Sequence, residues 1–69
     1  MKIDYVTNLG YYCYLIVYYT NRRCWQFCLY DSKNFLFFVN DFIFYTASAA
    51  EERGISWGTD ILIKKYQKN

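Results

Sequence analysis

The chain has no histidine, three glycines and three cysteines, with eight basic residues against six acidic ones in 69. Without imidazole there is no Ser-His-Asp or Cys-His arrangement and no base that titrates near neutral pH. Gly10, Gly54 and Gly58 match no phosphate-cradling loop. An odd number of cysteines does not make a disulfide framework, and Cys13, Cys24 and Cys28 lack a fourth soft ligand for zinc. On one strand face Cys24 and Cys28 would stand about 13 Å apart, too far for a disulfide or a shared metal. These thiols read as buried or half-buried and reduced, which fits a cytoplasmic setting.

The acids supply no chemistry either. Asp31, Asp41, Glu51, Glu52 and Asp60 fall in turns and at helix positions where capping and solvation account for them. No enzyme is expected, and no cofactor or metal. A formal net charge of +2 is too small to imply a polyanionic partner, and it argues equally against an acidic mimic of nucleic acid. The longest apolar run, Tyr11 to Tyr19, is about half of what a spanning helix needs, and no small-residue cleavage site follows it. Neither a signal peptide nor membrane contact is expected.

What the chain has in abundance is rings: nine Tyr, six Phe and two Trp, within a composition 55% hydrophobic. That is far from the signature of disorder, so the chain should fold. There is no repeat, linker or low-complexity stretch, and residues 1–69 read as one domain. A domain this short buries only about 60% of its unfolded surface, so burial against another chain would help it.

Residues 2–6 (KIDYV) suit a short edge strand or an arm, ended by a turn over Thr7, Asn8, Leu9 and Gly10. Residues 11–20 and 24–30 are rich in Tyr, Val, Ile and Phe and read as two strands. A turn at Asp31-Ser32-Lys33-Asn34 leads to a further strand, Phe35 to Val39. Asn40-Asp41 then breaks the apolar run before Phe42 to Tyr45, which suits a bulge continuing that strand, a lead into a helix, or a fourth short strand.

From Thr46 the period changes. Thr46 and Ser48 are both N-cap candidates, Ser48 with Glu51 makes a capping box, and Glu51 and Glu52 favour the positive end of a helix dipole. An inner stripe of Ala47, Ala50, Gly54, Trp57, Gly58, Ile61 and Leu62 follows helical spacing, with Lys64, Lys65 and Lys68 toward the C-terminal end. Gly54 and Gly58 cost roughly 2 kcal/mol of propensity, which a close approach to bulky rings on a sheet would explain. The competing reading stops the helix at Gly54 and makes Ile61 to Tyr66 a last strand. The expected fold is α+β: a three- or four-stranded antiparallel meander with one C-terminal helix on one face.

Register decides the faces. A three-residue loop at Asn21-Arg22-Arg23 pairs Thr20 with Cys24 and sets Tyr19/Trp25, Val17/Phe27 and Leu15/Leu29 on one face. Tyr12, Tyr14, Ile16 and Tyr18 then share the other with Cys24, Gln26, Cys28 and Tyr30. A loop of two or four residues exchanges the strand-one set, pairing Tyr18 with Trp25. Under either register the second face is apolar and rich in tyrosine, joined by Leu36 and Phe38 or by Phe35, Phe37 and Val39.

One helix covers one face. The other is either crossed by the N-terminal arm through Tyr5 and Val6, or buried only in a complex, because soluble monomers rarely leave a large aromatic patch bare. Tyrosine suits an interface. The expected partner-binding residues are Tyr12, Tyr14, Tyr18 and Tyr30, with Arg22, Arg23 and Gln26 toward the rim. The expected partner is a second copy, as in a homodimer, or another protein. The alternative is single-stranded nucleic acid stacked on the tyrosines, which the few basic residues and the interruption of the face by Ile16 and Cys28 disfavour.

The stretch FYTASAAEERGISWGTDIL carries the pattern T-x-x-x-A-E-x-x-G-x-x-W-x-x-x-I at Thr46, Ala50, Glu51, Gly54, Trp57 and Ile61. Over about a quarter of the chain it resembles the end of short orphan modules common in cyanobacterial and phage genomes. The resemblance implies a small antiparallel sheet followed by a helix and transfers no functional residue. By analogy with such genomes it suggests a stoichiometric inhibitor or regulator, of the kind directed at host defence or host enzymes.

Overall fold

The antiparallel meander and C-terminal helix are both present in the computed structural model, which describes residues 2–66. Strands β1 (Lys2–Gly10), β2 (Cys13–Tyr19), β3 (Trp25–Asp31) and β4 (Leu36–Phe38) form one sheet in the order β1-β2-β3-β4, followed by α1 (Ala47–Tyr66). The register of β2 and β3 is that of the three-residue loop: Tyr19 faces Trp25, Val17 faces Phe27 and Leu15 faces Leu29. Thr20 N donates to Cys24 O at 2.8 Å and Arg23 N to Thr20 O at 3.3 Å, with Arg23 left-handed at φ 60°. A turn closed by one left-handed residue is how three-residue hairpins match strand twist.

The helix lies on the face carrying Leu15, Val17, Phe27 and Leu29, all fully buried. The inner stripe falls as helical spacing requires, with Ala50, Gly54 and Gly58 buried and Ala47, Trp57, Ile61 and Leu62 half-buried. Close approach accounts for both glycines. A Cβ on Gly54 would stand 2.5 Å from Leu15 Cδ1 and 3.2 Å from Phe27 Cγ, and one on Gly58 would stand 2.6 Å from Leu9 Cδ1. The helix runs unbroken through Gly54, so Ile61 to Tyr66 is no strand.

Its start differs in detail from the sequence expectation. Thr46 is the N-cap, its Oγ1 accepting from Ala49 N at 3.1 Å, so Ser48 already lies inside the first turn and no capping box with Glu51 forms. Glu51 and Glu52 fall beyond the first turn, which contains no acid. Lys64 and Lys65 occupy the last turn, while Lys68 lies outside the described residues.

The N-terminal segment departs more. β1 continues through the expected turn to Gly10, and the reversal is made by Tyr11 and Tyr12, at φ 51° and 65°, before β2 starts at Cys13. Two extra residues allow this. Ile3 faces Tyr18 but Tyr5 faces Val17, making Asp4 a bulge, and a second shift separates Asn8 from Gly10, where Asn8 Oδ1 accepts from Gly10 N at 2.8 Å. As a paired edge strand β1 cannot be an arm across the second face.

The other edge is also bulged. Leu29 pairs with Phe38 and Trp25 with Phe44, so three residues of β3 between these pairs oppose five along the edge. Asn40 fills the gap: its Nδ2 donates to Phe27 O at 3.0 Å and its Oδ1 accepts from Phe42 N at 2.9 Å. Of the three readings of Phe42 to Tyr45, the structure shows none in full: β4 ends at Phe38, 39–43 is irregular, and Phe44 returns to β3 by an isolated bridge to Trp25 just before the helix cap at Thr46. β4 itself is shorter than Phe35 to Val39, because Phe35 is left-handed at φ 56°.

Candidate functional site

The face opposite the helix follows from the same register. Ile3, Val6 and Asn8 of β1 stand opposite Tyr18, Ile16 and Tyr14 of β2, which stand opposite Gln26, Cys28 and Tyr30 of β3, and Phe37 of β4 stands opposite Tyr30. Among the described residues no helix or strand packs over this face. At its centre Cys28 is only 8% exposed, with half-buried Tyr14, Ile16, Tyr18 and Tyr30 around it. Toward the edges the apolar groups are open to solvent: Ile3 and Val6 are each 53% exposed and Phe37 60%. Tyr30 and Phe37 pack ring on ring, centroids 4.7 Å apart and tilted by 36°.

Sequence reasoning placed Tyr14, Tyr18, Gln26 and Tyr30 together, and the structure does so. It separates the others. Tyr12 lies in the turn between β1 and β2, not on strand two, where its carbonyl accepts from Ser32 N at 2.9 Å and Ser32 Oγ at 3.1 Å, and its ring has Lys33 Nζ 5.9 Å from the centroid. Arg22 and Arg23 project at the hairpin tip on the opposite end of the sheet, both exposed. Cys24, just outside β3, stays on the side of Tyr18 and Gln26 as expected, buried with its Sγ 3.2 Å from Thr20 Oγ1. Of the two options for the third hairpin strand, Phe37 joins the second face while Leu36 and Phe38 turn to the helix side.

Ile3 and Val6 were missed as members of the face. Three apart in sequence, they would alternate to opposite sides of a regular strand, and the Asp4 bulge brings them to the same one. Nothing in KIDYV marks that bulge.

The face is chemically quiet. Among the described residues its side chains include no Asp, Glu, Lys or Arg: the charges lie on the helix, in the turns and bulges, and at the ends of the sheet. Its polar groups are partly engaged already, Gln26 Nε2 donating to Phe42 O at 3.2 Å and Asn8 capping Gly10. Burial pushes the Cys28 thiol up, and burial followed by the neighbouring Cys28 and Cys24 thiols pushes the Tyr18 phenol up. A thiol held protonated is a poor nucleophile. On the helix side burial, and then Asp31, push the Cys13 thiol up too.

A charged cluster lies elsewhere. Asp31, buried where β3 ends, accepts from Lys33 N at 3.0 Å, Asn34 N at 3.2 Å, Asn34 Nδ2 at 2.8 Å and Lys65 Nζ at 2.8 Å. Lys65 and Asn34 hold its carboxyl well below the usual carboxylate range. The Lys33 and Asn34 contacts close the turn after β3 and the Lys65 contact ties it to the helix end, and a carboxylate so satisfied is a structural anchor. Near the other end of the helix the Tyr5 hydroxyl and the Trp25 indole N–H are buried, and among the described residues neither makes a hydrogen bond of good geometry, the Tyr5 hydroxyl having the Glu51 carboxylate nearby. Burial, then the nearby Glu51 carboxylate, push the Tyr5 phenol far up.

No helix among the described residues is long and apolar enough to cross a membrane. No family model matches the chain, and neither a curated protein nor a solved structure shows significant similarity to it.

Proposed function

We propose that the chain is a non-catalytic protein-binding module that works by occupancy, with its second sheet face as the contact surface. The observation that carries this reading is a face built from Ile3, Val6, Tyr14, Ile16, Tyr18, Tyr30 and Phe37, which among the described residues is free of charged side chains and not packed under any other element. Aromatic anchors around a nearly dry centre, with depleted charge, are the composition of an interface core. Arg22 and Arg23 at one end and Tyr12 at the other supply a polar and aromatic margin. Such a module serves as a stoichiometric inhibitor or regulator, since occupancy needs no turnover.

Nucleic acid is the second reading, and the site favours it less. Stacking platforms for single strands pair aromatic side chains with cations that follow the phosphates. Here Arg22 and Arg23 stand at the sheet's end, and Lys33 is near Tyr12.

The test is solution mass by size exclusion with light scattering, with the 260/280 nm absorbance ratio read on the same peak, for the natural chain and for Tyr14→Ser and Tyr18→Ser. The expected result is two folded variants with unchanged far-UV circular dichroism, each lacking whatever complex the natural chain forms. Variants that unfold would make these tyrosines ordinary core residues and end the proposal. A high absorbance ratio would put nucleic acid first.

A further inference from the structure

We infer that the occupant of the second face is a second copy of this chain, stacked sheet on sheet about a two-fold axis. The inference rests on reading that face as an interaction surface and adds the identity of what covers it.

Three observations lead there. The first is charge. A patch that is to meet itself must not carry one sign of charge, and in an isologous dimer any residue near the axis faces its own copy. This face carries none, although the chain as a whole is formally +2. A patch selected for an oppositely charged partner would show the opposite.

The second is the state of the edges. Small antiparallel sheets also self-associate by joining edge strands, and bulges are a common means of preventing that. β1 is interrupted at Asp4 and again between Asn8 and Gly10, leaving only Tyr5 to Asn8 in regular register. On the other side β4 has three residues and is followed by the Asn40 bulge. The outer surface of the helix is mainly polar, with Glu52, Arg53, Ser56, Asp60 and Lys64 exposed around Ile55 and Ile63. Val39, Ile43 and Tyr45 past β4 are exposed as well but lie in irregular backbone, which leaves the uncharged sheet face as the regular surface for a second copy.

The third is area. Strands of nine, seven, seven and three residues, rising about 3.3 Å per residue and spaced about 4.8 Å apart, give roughly 400 Å² of projected face. Two such faces bury about 800 Å² together, where crystal contacts end and weak, transient interfaces begin. The dimer should therefore exchange, with a dissociation constant in the micromolar range. Sheets stacked face to face stand about 10 Å apart, which suits tyrosine and phenylalanine from both sides.

The experiment is sedimentation equilibrium across a concentration series on the purified chain alone, with the variants Val6→Lys and Phe37→Lys and the helix-surface control Ile63→Lys. All three positions are exposed in the single chain, at 53%, 60% and 46%, so none of the substitutions removes core packing. The expected result is a monomer–dimer equilibrium with a limiting mass of twice 8.4 kDa. Each face variant should weaken it by about tenfold or more, since a lysine enters the interface twice per dimer, and the control should leave it unchanged. A monomer at every concentration up to about 1 mM would overturn the second copy as occupant. A dimer that both lysines leave intact would overturn it too, because another surface would then hold the copies. Neither result touches the broader interface reading, which stands or falls on whether Tyr14→Ser and Tyr18→Ser stay folded.

Discussion

Lys65 Nζ lies 2.8 Å from Asp31 Oδ2, tying the last turn of the helix to the end of the third strand. Asp31 is buried, and its other acceptor sites are filled by Lys33 N, Asn34 N and Asn34 Nδ2. The contacts all favour the ionised form, so the folded carboxyl titrates well below the unfolded one. A depressed folded value contributes stability that is fully present above the unfolded value, near pH 4, and is lost as the pH falls from there toward the folded value. Thermal midpoints of the natural chain should fall below about pH 4, whereas Asp31→Asn should start lower at pH 7 and vary less with acid. Parallel curves for the two proteins would show that Asp31 does not govern the acid limb.

Gly54 and Gly58 look alike in sequence and should behave differently on substitution. Alanine at either gains about 1 kcal/mol of helix propensity. At Gly54 the new methyl meets Leu15, which is fully buried, and has Phe27 Cγ at 3.2 Å beside it. Nothing there can give way without disturbing the core, so Gly54→Ala should cost about 1–3 kcal/mol net. At Gly58 the closest atom is the end of Leu9, half-buried on an edge strand and able to move, and the next is the end of the buried Leu29 at 3.2 Å. Gly58→Ala should be within about 1 kcal/mol of neutral. Urea denaturation midpoints separate the two, and equal losses would refute the distinction.

These glycines also show what was legible. A helical stripe of small residues beside aromatic strands announces a close helix–sheet approach, and the Tyr19, Val17 and Leu15 pairings follow from alternation once the tip loop is taken as three residues. The first hairpin was illegible for the opposite reason. Asn8 and Gly10 are strong turn formers, but here Asn8 serves a bulge and Gly10 (φ 94°) precedes the reversal made by two tyrosines, which carry no turn signal. That displacement of two residues, with the Asp4 bulge, hid Ile3 and Val6 from the candidate face. The role of Asp31 was hidden because an acid in a turn reads as solvated, and its partner Lys65 lies 34 positions away.

Asn40 stands in for a stretch of backbone at the sheet edge, its amide meeting Phe27 O with one end and Phe42 N with the other. Asn40→Ala leaves a partly buried carbonyl unpaired and should cost about 1–2 kcal/mol. Asn40→Asp keeps the shape but turns an oxygen toward the Phe27 carbonyl, so it should be the worse of the two at pH 7 and recover as its carboxyl protonates in acid. Chemical denaturation at pH 7 and pH 4 checks this. An aspartate variant as stable as the natural chain at pH 7 would mean that the amide's donor is dispensable.

The tyrosine turn stores strain that an ordinary hairpin avoids. Both central residues have positive φ, 51° and 65°, a conformation that costs a residue with a Cβ about 1 kcal/mol and that Asn-Gly adopts readily. The Tyr12 carbonyl bonds to Ser32 are made by backbone and survive any side chain, while the Lys33 contact at 5.9 Å is worth about 0.5 kcal/mol at an exposed site. Tyr12→Gly, which leaves Tyr11 and its contacts in place, should therefore raise stability by about 0.5 kcal/mol, seen as a higher urea midpoint at unchanged slope. A lower midpoint would mean that the Tyr12 ring contributes more than its backbone strain takes away, and would show why a tyrosine persists at a position whose geometry favours glycine.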